Sequence, residues 1–89
     1  MREILIGETV LTQSVEKTIT CKYYILIRTL PSPVCCESYG VCIVIAQTGE
    51  RAEVQDITVC AERIEALATL LLRGKVTPCT LREIVDDWL

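Results

Sequence analysis

The first two thirds of the chain alternate apolar and polar residues with the two-residue period of β-strands. The clearest segment covers residues 18–30, where Ile19, Cys21, Tyr23, Ile25 and Ile27 fall on one side and Tyr24, Leu26 and Leu30 on the other. Residues 39–48 are the most apolar segment, and residues 3–12 and 51–56 are mixed but rich in β-branched residues. The pattern predicts four strands, at about 3–12, 18–30, 39–48 and 51–56.

Turn signals separate these segments. Residues 13–17 are mostly polar, and the sequence Thr48-Gly49-Glu50 is typical of a tight turn. Pro31 and Pro33 lack the N–H that a central strand needs, so the chain must turn there. Short links between consecutive strands predict an antiparallel meander.

The period becomes helical after Thr58, which is a suitable N-cap for a helix over residues 59–73. Gly74 is predicted to end it in the left-handed conformation. A second helix is predicted over residues 78–88, with Thr77 as its N-cap and Pro78 in the first helical position. The predicted apolar stripes are Cys60, Ile64, Leu67, Ala68 and Leu71 on the first helix, and Leu81, Ile84, Val85, Trp88 and Leu89 on the second.

The short link between the two helices predicts a tight corner that carries both apolar stripes onto the same side of the sheet. The sequence therefore predicts one α+β domain spanning residues 1–89. Its fold is a four-stranded antiparallel sheet, a meander, followed by two C-terminal helices packed on one face.

Composition raises the question of what covers the other face. The chain has 89 residues, 51% of them hydrophobic, and the two middle strands are apolar on both sides. Small domains often supplement a thin core by oligomerisation, so the sequence predicts a homodimer or a protein partner. The alternative is that the sheet curls and the first strand covers part of that face. The candidate interface residues are Tyr24, Leu26, Cys42, Val44, Glu83, Asp86 and Asp87.

Charge argues against two classes of partner. The net charge is −3, and the basic residues form no stripe of the kind that binds phosphates, which argues against nucleic acid. No apolar run approaches the ~18 residues of a membrane span, and acids interrupt the N-terminal apolar residues too early for a secretory signal. We therefore expect a cytoplasmic protein that binds no membrane.

Six cysteines offer the main candidate chemistry. The chain has no histidine and no Cys-x-x-Cys motif, so neither a zinc knuckle nor a thioredoxin-type pair is predicted. Cys35 and Cys36 are adjacent in the proline-rich loop, and Cys79 lies at a predicted helix N-terminus, where the helix dipole favours the thiolate. These three are the candidate reactive thiols.

Catalytic chemistry finds little support. The C-terminal carboxylates are predicted to be solvated, whereas a catalytic carboxyl group needs a raised pKa. The four glycines are dispersed and form no phosphate-binding loop. We predict no catalytic residue, no cofactor and no metal.

The last third of the chain resembles a known family. The segment Leu70-Leu71-Leu72-Arg73-Gly74 is followed by Val76-Thr77-Pro78-Cys79-Thr80-Leu81-Arg82-Glu83-Ile84-Val85-Asp86-Asp87-Trp88-Leu89. Together they resemble a family of small proteins of Gram-positive bacteria, a domain of unknown function with a TPCxLRxxVxDxL-like C-terminal helix. The resemblance implies a cytoplasmic bacterial protein and no particular activity.

The residues and the resemblance favour a small non-catalytic interaction or regulatory module that acts through a homodimer or partner interface. The alternative is a thiol-based redox sensor or soft-metal-binding protein that uses Cys35, Cys36 and Cys79.

Overall fold

The computed structural model describes residues 2–12, 17–31 and 36–89. Its sheet has the strands β1 (Arg2–Thr12), β2 (Thr18–Thr29), β3 (Glu37–Ile45) and β4 (Arg51–Thr58), in the order β1-β2-β3-β4 with every neighbouring pair antiparallel. Helix α1 (Ala61–Arg73) follows, and a 3₁₀ turn (Pro78–Thr80) leads into helix α2 (Leu81–Trp88). The predicted α+β fold, a meander followed by two helices, is confirmed.

The core lies between the helices and one side of the sheet, which we call the inner face. Cross-strand pairs such as Tyr23 with Ile43 and Ile25 with Val41 place alternate residues of β2 and β3 on this face. The buried residues of the cluster are Cys21, Tyr23, Ile25, Ile27, Val41, Ile43, Ile45, Ile64, Leu67, Ala68, Leu71, Leu81 and Val85. The period-two prediction for β2 and the helical stripe Ile64, Leu67, Ala68 and Leu71 are therefore confirmed.

Two residues assigned to the apolar stripes do not join the core. Cys60 is exposed because β4 continues to Thr58 and α1 begins only at Ala61, so Cys60 precedes the first turn. The Thr58 hydroxyl accepts a hydrogen bond from the N–H of Cys60 at 3.1 Å, within the link and not as the cap of α1. Leu89 follows the end of α2 and is 69% exposed.

The corner between the helices differs from the prediction by one residue. Gly74 has a φ of −79°, whereas Lys75 adopts the left-handed conformation with a φ of 50°. The N–H of Val76 donates to the carbonyl of Leu71 at 3.1 Å, and the N–H of Lys75 to that of Leu72 at 3.3 Å. This is the Schellman pattern, in which the left-handed residue lies one position after the C-cap.

A bulge interrupts the pairing of β3 with β4. The register moves from Val41 opposite Val54 to Tyr39 opposite Thr58, so β4 has extra residues around Asp56, whose φ is 54°. Gly40 faces the bulge, and a Cβ there would lie 2.3 Å from the carbonyl oxygen of Val54. Only glycine fits this close backbone approach.

Candidate interaction surface

Strand β1 lies at the edge of the sheet and exposes apolar side chains on both faces. The exposed fractions are 48% for Ile4, 52% for Leu5 and 58% for Val10. These are three of the six exposed large hydrophobic residues in the described part of the chain. Among residues 2–12, 17–31 and 36–89, β1 has a strand neighbour on one side only, and its backbone groups on the other side meet no strand of these ranges.

A groove runs between β1 and α1 on the inner-face side of this edge. Its volume is about 310 Å³, and its lining residues are Ile4, Ile6, Ile25, Glu65, Ala68 and Thr69. The register between β1 and β2 shifts between Leu5 and Gly7, which leaves Ile6 as an additional residue beside the groove. The result is a largely apolar channel with one carboxylate, that of Glu65, on its wall.

Gly7 brings α1 close to β1 near this bulge. A Cβ at position 7 would lie 3.0 Å from Cδ2 and 3.2 Å from Cδ1 of Leu72. The absent side chain therefore lets Leu72 pack directly on the β1 backbone. We call the exposed part of β1 together with this groove the β1 edge site.

The outer face of the sheet, opposite the helices, contains the predicted interface residues Tyr24, Leu26, Cys42 and Val44. Leu26 is 2% exposed and Cys42 is 1% exposed, so these two are buried within a single chain. Tyr24 and Val44 are partly buried. The apolar centre of the outer face is thus covered without a second molecule.

An ion-pair network provides this cover. Arg51 on β4 binds Glu3 on β1, and its Nη2 also lies 2.9 Å from Oε2 of Glu53. Register places all three side chains on the outer face, with Glu3 opposite Leu26 and Glu53 opposite Cys42. A contact between the two edge strands must cross the columns of Leu26 and Cys42, so the sheet is curled and its outer face is concave.

Burial changes the chemistry of Cys42. It raises the pKa of the Cys42 thiol to about 11, although the nearby positive charge of Arg51 acts in the opposite direction. Hydrogen bonds to Glu3 and Glu53 raise the pKa of Arg51. Cys42 is therefore a protonated, covered thiol at neutral pH.

The candidate reactive thiols do not form a site in the described residues. Cys35 lies outside those residues, Cys36 is partly buried, and Cys79 is exposed with its Sγ 3.2 Å from Oγ1 of Thr77. Among residues 2–12, 17–31 and 36–89, no group of three or more cysteine and acidic side chains is arranged to hold a metal ion. The thiol hypothesis remains a prediction.

The acidic candidates Glu83, Asp86 and Asp87 all lie exposed on α2. Within the part of the chain that the structure describes, none of the three forms an ion pair. Trp88, on the same helix, is partly buried and lies beneath Arg63 of α1, whose guanidinium carbon is 4.7 Å from the ring centroid. The inner side of α2 is thus structural, and its acids face solvent.

A second cleft, of about 360 Å³, lies where β2 begins and β3 ends. Its lining residues are Lys17, Thr18, Ile19, Ile45, Gln47, Thr48 and Glu50. The amide of Gln47 occupies this region by bonding Thr20, accepting from its N–H at 2.8 Å and donating to its hydroxyl at 3.2 Å. These bonds connect β2 to the turn that follows β3.

Sequence reasoning missed the β1 edge site. The signal was available, because the first strand of a meander is always an edge strand and residues 4–6 are consecutive Ile, Leu and Ile. The groove was not predictable, since it depends on a bulge at Ile6 and on the approach of Leu72 to Gly7. The predicted surfaces were the outer face and the acidic side of α2.

No helix in the described residues has the length and apolar character needed to cross a membrane.

Comparisons with known proteins give one match. Neither the curated proteins nor the solved structures include a significant match to the chain. The model of a protein family, described as a family of unknown function (DUF6514), matches residues 2–89. Since the match covers nearly the whole chain, the protein belongs to the DUF6514 family.

Proposed function

We propose that this protein is a small non-catalytic interaction or regulatory module that binds a protein partner, or a second copy of itself, through the β1 edge site. The observation that supports this most is the exposure of Ile4, Leu5 and Val10 on an edge strand. Each large aliphatic side chain left in water forgoes roughly 1.5 to 3 kcal/mol of burial. A marginally stable small domain benefits from covering such a strand.

The β1 edge supports this role better than the outer face does. The ion pairs of Arg51 already cover Leu26 and Cys42, and separating them to admit a partner would expose charges that are now matched. At the β1 edge the outward backbone groups have no strand partner in the part of the chain that the structure describes, so no ladder bond of those residues needs to break. An added strand would gain ladder hydrogen bonds and apolar contacts together.

The proposed setting is the cytoplasm of a Gram-positive bacterium. The five cysteines in the described residues are all free, as expected for a reducing compartment. The resemblance of the C-terminal helix, with its Thr77-Pro78-Cys79 start, supports the same setting.

The test compares matched variants in two measurements. Each variant is the bait in pull-downs from the host, and its oligomeric state is measured by sedimentation. The β1 variant is Leu5→Thr with Val10→Thr, which removes apolar surface and places a β-branched residue suited to a strand at both positions. The control is Leu70→Gln on α1, because Leu70 is 49% exposed and lies outside the groove lining. Circular dichroism and thermal unfolding establish that each variant folds.

The proposal predicts that wild type and Leu70→Gln bind the same partner in pull-downs from the host, or sediment as the same oligomer, and that the β1 variant does neither. It is overturned if the β1 variant keeps every partner and every oligomer that wild type forms. It is also overturned if wild type remains a 10.0 kDa monomer at micromolar concentrations and retains no partner.

A further inference from the structure

We infer that the occupant of the β1 edge site is an extended segment of another protein that presents both aliphatic and basic residues on each of its two faces and adds to the sheet as a fifth strand. This inference rests on the proposed function and specifies the chemistry of the partner. The edge of β1 provides backbone groups that can hydrogen-bond to another strand, and the groove provides an apolar pocket. The negative charges around both favour a basic segment.

The geometry of strand addition suits both faces of the β1 edge. A strand paired with β1 directs alternate side chains to the two faces of the sheet. On the inner side these side chains enter the groove beside Ile4, Ile6 and Thr69. On the outer side they lie next to Leu5 and Val10, both more than half exposed. A segment with aliphatic residues facing both sides would cover the exposed apolar surface of β1.

The β1 edge site carries negative charge on both faces. Glu65 lines the groove, and Glu8 is exposed on the outer face of β1. No ion pair joins either carboxylate to another residue in the described ranges, although Lys22 lies opposite Glu8 in the register. The only basic residue of β1, Arg2, already binds Glu37. Each face of the edge therefore offers a carboxylate to an incoming cation.

The same charges argue against a second copy as the occupant. Pairing of two identical edges would bring the carboxylates of two α1 helices and two β1 strands towards each other, and like charges at an interface oppose association. A basic partner strand would instead be attracted by the carboxylates of Glu8 and Glu65.

The experiment uses the full chain and four synthetic peptides. The probe, the Val-Lys peptide, has about seven residues, the usual length of a short strand, and pairs of Val alternate with pairs of Lys so that each face carries both residue types. A second peptide has Glu in place of Lys, and a third has N-methyl groups on alternate residues, which removes the N–H donors of a ladder. A fourth is the Val-Lys peptide with its residues scrambled. Fluorescence anisotropy gives affinity, and hydrogen exchange reports on the β1 amides.

We expect the Val-Lys peptide to bind, to slow exchange at β1 amides, and to lose both effects on N-methylation. The Val-Glu peptide should bind about tenfold more weakly, because attraction becomes repulsion at two carboxylates. Glu65→Gln and Glu8→Gln should each weaken the Val-Lys peptide about two- to fivefold, the range of one exposed ion pair. The matched control Glu83→Gln on α2 should leave the affinity unchanged.

Three results would overturn the inference, and they bear differently on the proposed function. Equal protection of β1 by the Val-Lys and Val-Glu peptides would refute basic selection but leave an edge-binding module. A dimer that the Leu5→Thr, Val10→Thr variant abolishes would identify a second copy as the occupant and would also leave the proposed function in place. Protection of β1 by no peptide, with no dimer, would count against both.

Discussion

Arg51 and Glu3 form an ion pair even though they belong to β4 and β1, the two opposite edges of the sheet. The contact requires the sheet to curl so that its edges approach each other over the outer face. Leu26 and Cys42 lie between the two strands and are almost completely buried as a result. A long polar side chain thereby covers apolar surface that a flat sheet would expose.

Replacing Arg51 by alanine should uncover Cys42. We expect its thiol to react faster with a disulfide reagent because the side chain that covers it is lost, and this gain in access outweighs the loss of a positive charge that lowers the thiol pKa. Peptide mapping identifies the labelled cysteine. The free energy of unfolding should fall by roughly 1 kcal/mol, since the side chains are 35–40% exposed and solvent screens the charges.

The control for this prediction is Arg2→Ala, which removes the exposed ion pair with Glu37 at another position. It should leave the labelling rate of Cys42 unchanged. Equal acceleration in both variants would mean that general loosening of the sheet, and not the cover by Arg51, controls access to Cys42.

Tyr23 connects the sheet to the corner between the helices. Its buried hydroxyl donates to the carbonyl oxygen of Val76 at 2.8 Å and lies 3.1 Å from the hydroxyl of Thr9, which donates to it in turn. Tyr23→Phe removes these bonds and leaves the Val76 carbonyl without that donor. We expect a loss of about 1 to 2 kcal/mol in the free energy of unfolding, measured by urea titration with Trp88 fluorescence.

Tyr24→Phe is the matched control, because Tyr24 lies on the outer face and forms no hydrogen bond through its hydroxyl to a described residue. Its unfolding midpoint should remain close to that of wild type. If the two variants lose the same stability, the bond from Tyr23 to Val76 is not what stabilises the corner.

Much of the fold follows from local pattern. The period of two in β2 and the stripe of α1 determined which side chains face the core, because burial of one face selects one register. Element ends were less predictable. Strand β3 ends at Ile45, three residues early, since residues 46–48 form the turn that Gly49 completes with a φ of 76°. Strand β4 continues to Thr58 because the bulge at Asp56 restores its pairing.

The surface was harder to predict because it depends on relations across the sheet. Whether Leu26 is exposed is decided by the curl that brings Arg51 to Glu3, and alternation along one strand contains no information about curl. The groove depends likewise on the bulge at Ile6. The sequence favoured a partner on the apolar outer face and offered a curled sheet as the alternative. The structure has the curl, and the exposure of Ile4, Leu5 and Val10 on β1 was not predicted.

Lys75 carries the left-handed conformation that the sequence assigned to Gly74. This conformation costs a non-glycine residue roughly 1 to 2 kcal/mol, and glycine at position 75 would remove that cost. Glycine also loses more backbone entropy on folding, which offsets part of the gain in stability. Lys75→Gly should therefore stabilise the protein by about 0.5 to 1 kcal/mol in urea unfolding.

The comparison variant for this prediction is Gly74→Ala, at a right-handed residue whose added Cβ would lie 3.2 Å from the carbonyl oxygen of Leu70. It should change stability less than Lys75→Gly does. Strong destabilisation by Gly74→Ala, with none gained from Lys75→Gly, would restore the original assignment of the left-handed residue.

Protonation of Asp56 should lower the stability of the protein at acid pH. A hydrogen bond from Ser38, together with the guanidinium of Arg28 at 2.9 Å, lowers the pKa of Asp56 below its ordinary value of 3.8. A carboxyl group with a lowered folded-state pKa adds stability above its unfolded-state pKa, and this stability is lost as pH falls through the folded-state value. Wild type should therefore lose stability as the pH is lowered from about 5 towards 2.

Asp56→Asn isolates this contribution, because asparagine tolerates the same positive φ but cannot ionise. Glu53 also has a lowered pKa, caused by its bonds to Arg51 and Gln55, and it remains in both proteins. The variant should be less stable than wild type at neutral pH, and the difference should shrink below about pH 4 as Asp56 becomes protonated. Urea midpoints across the acid range measure this difference, and a constant gap between the two proteins would show that Asp56 stabilises the bulge without its charge.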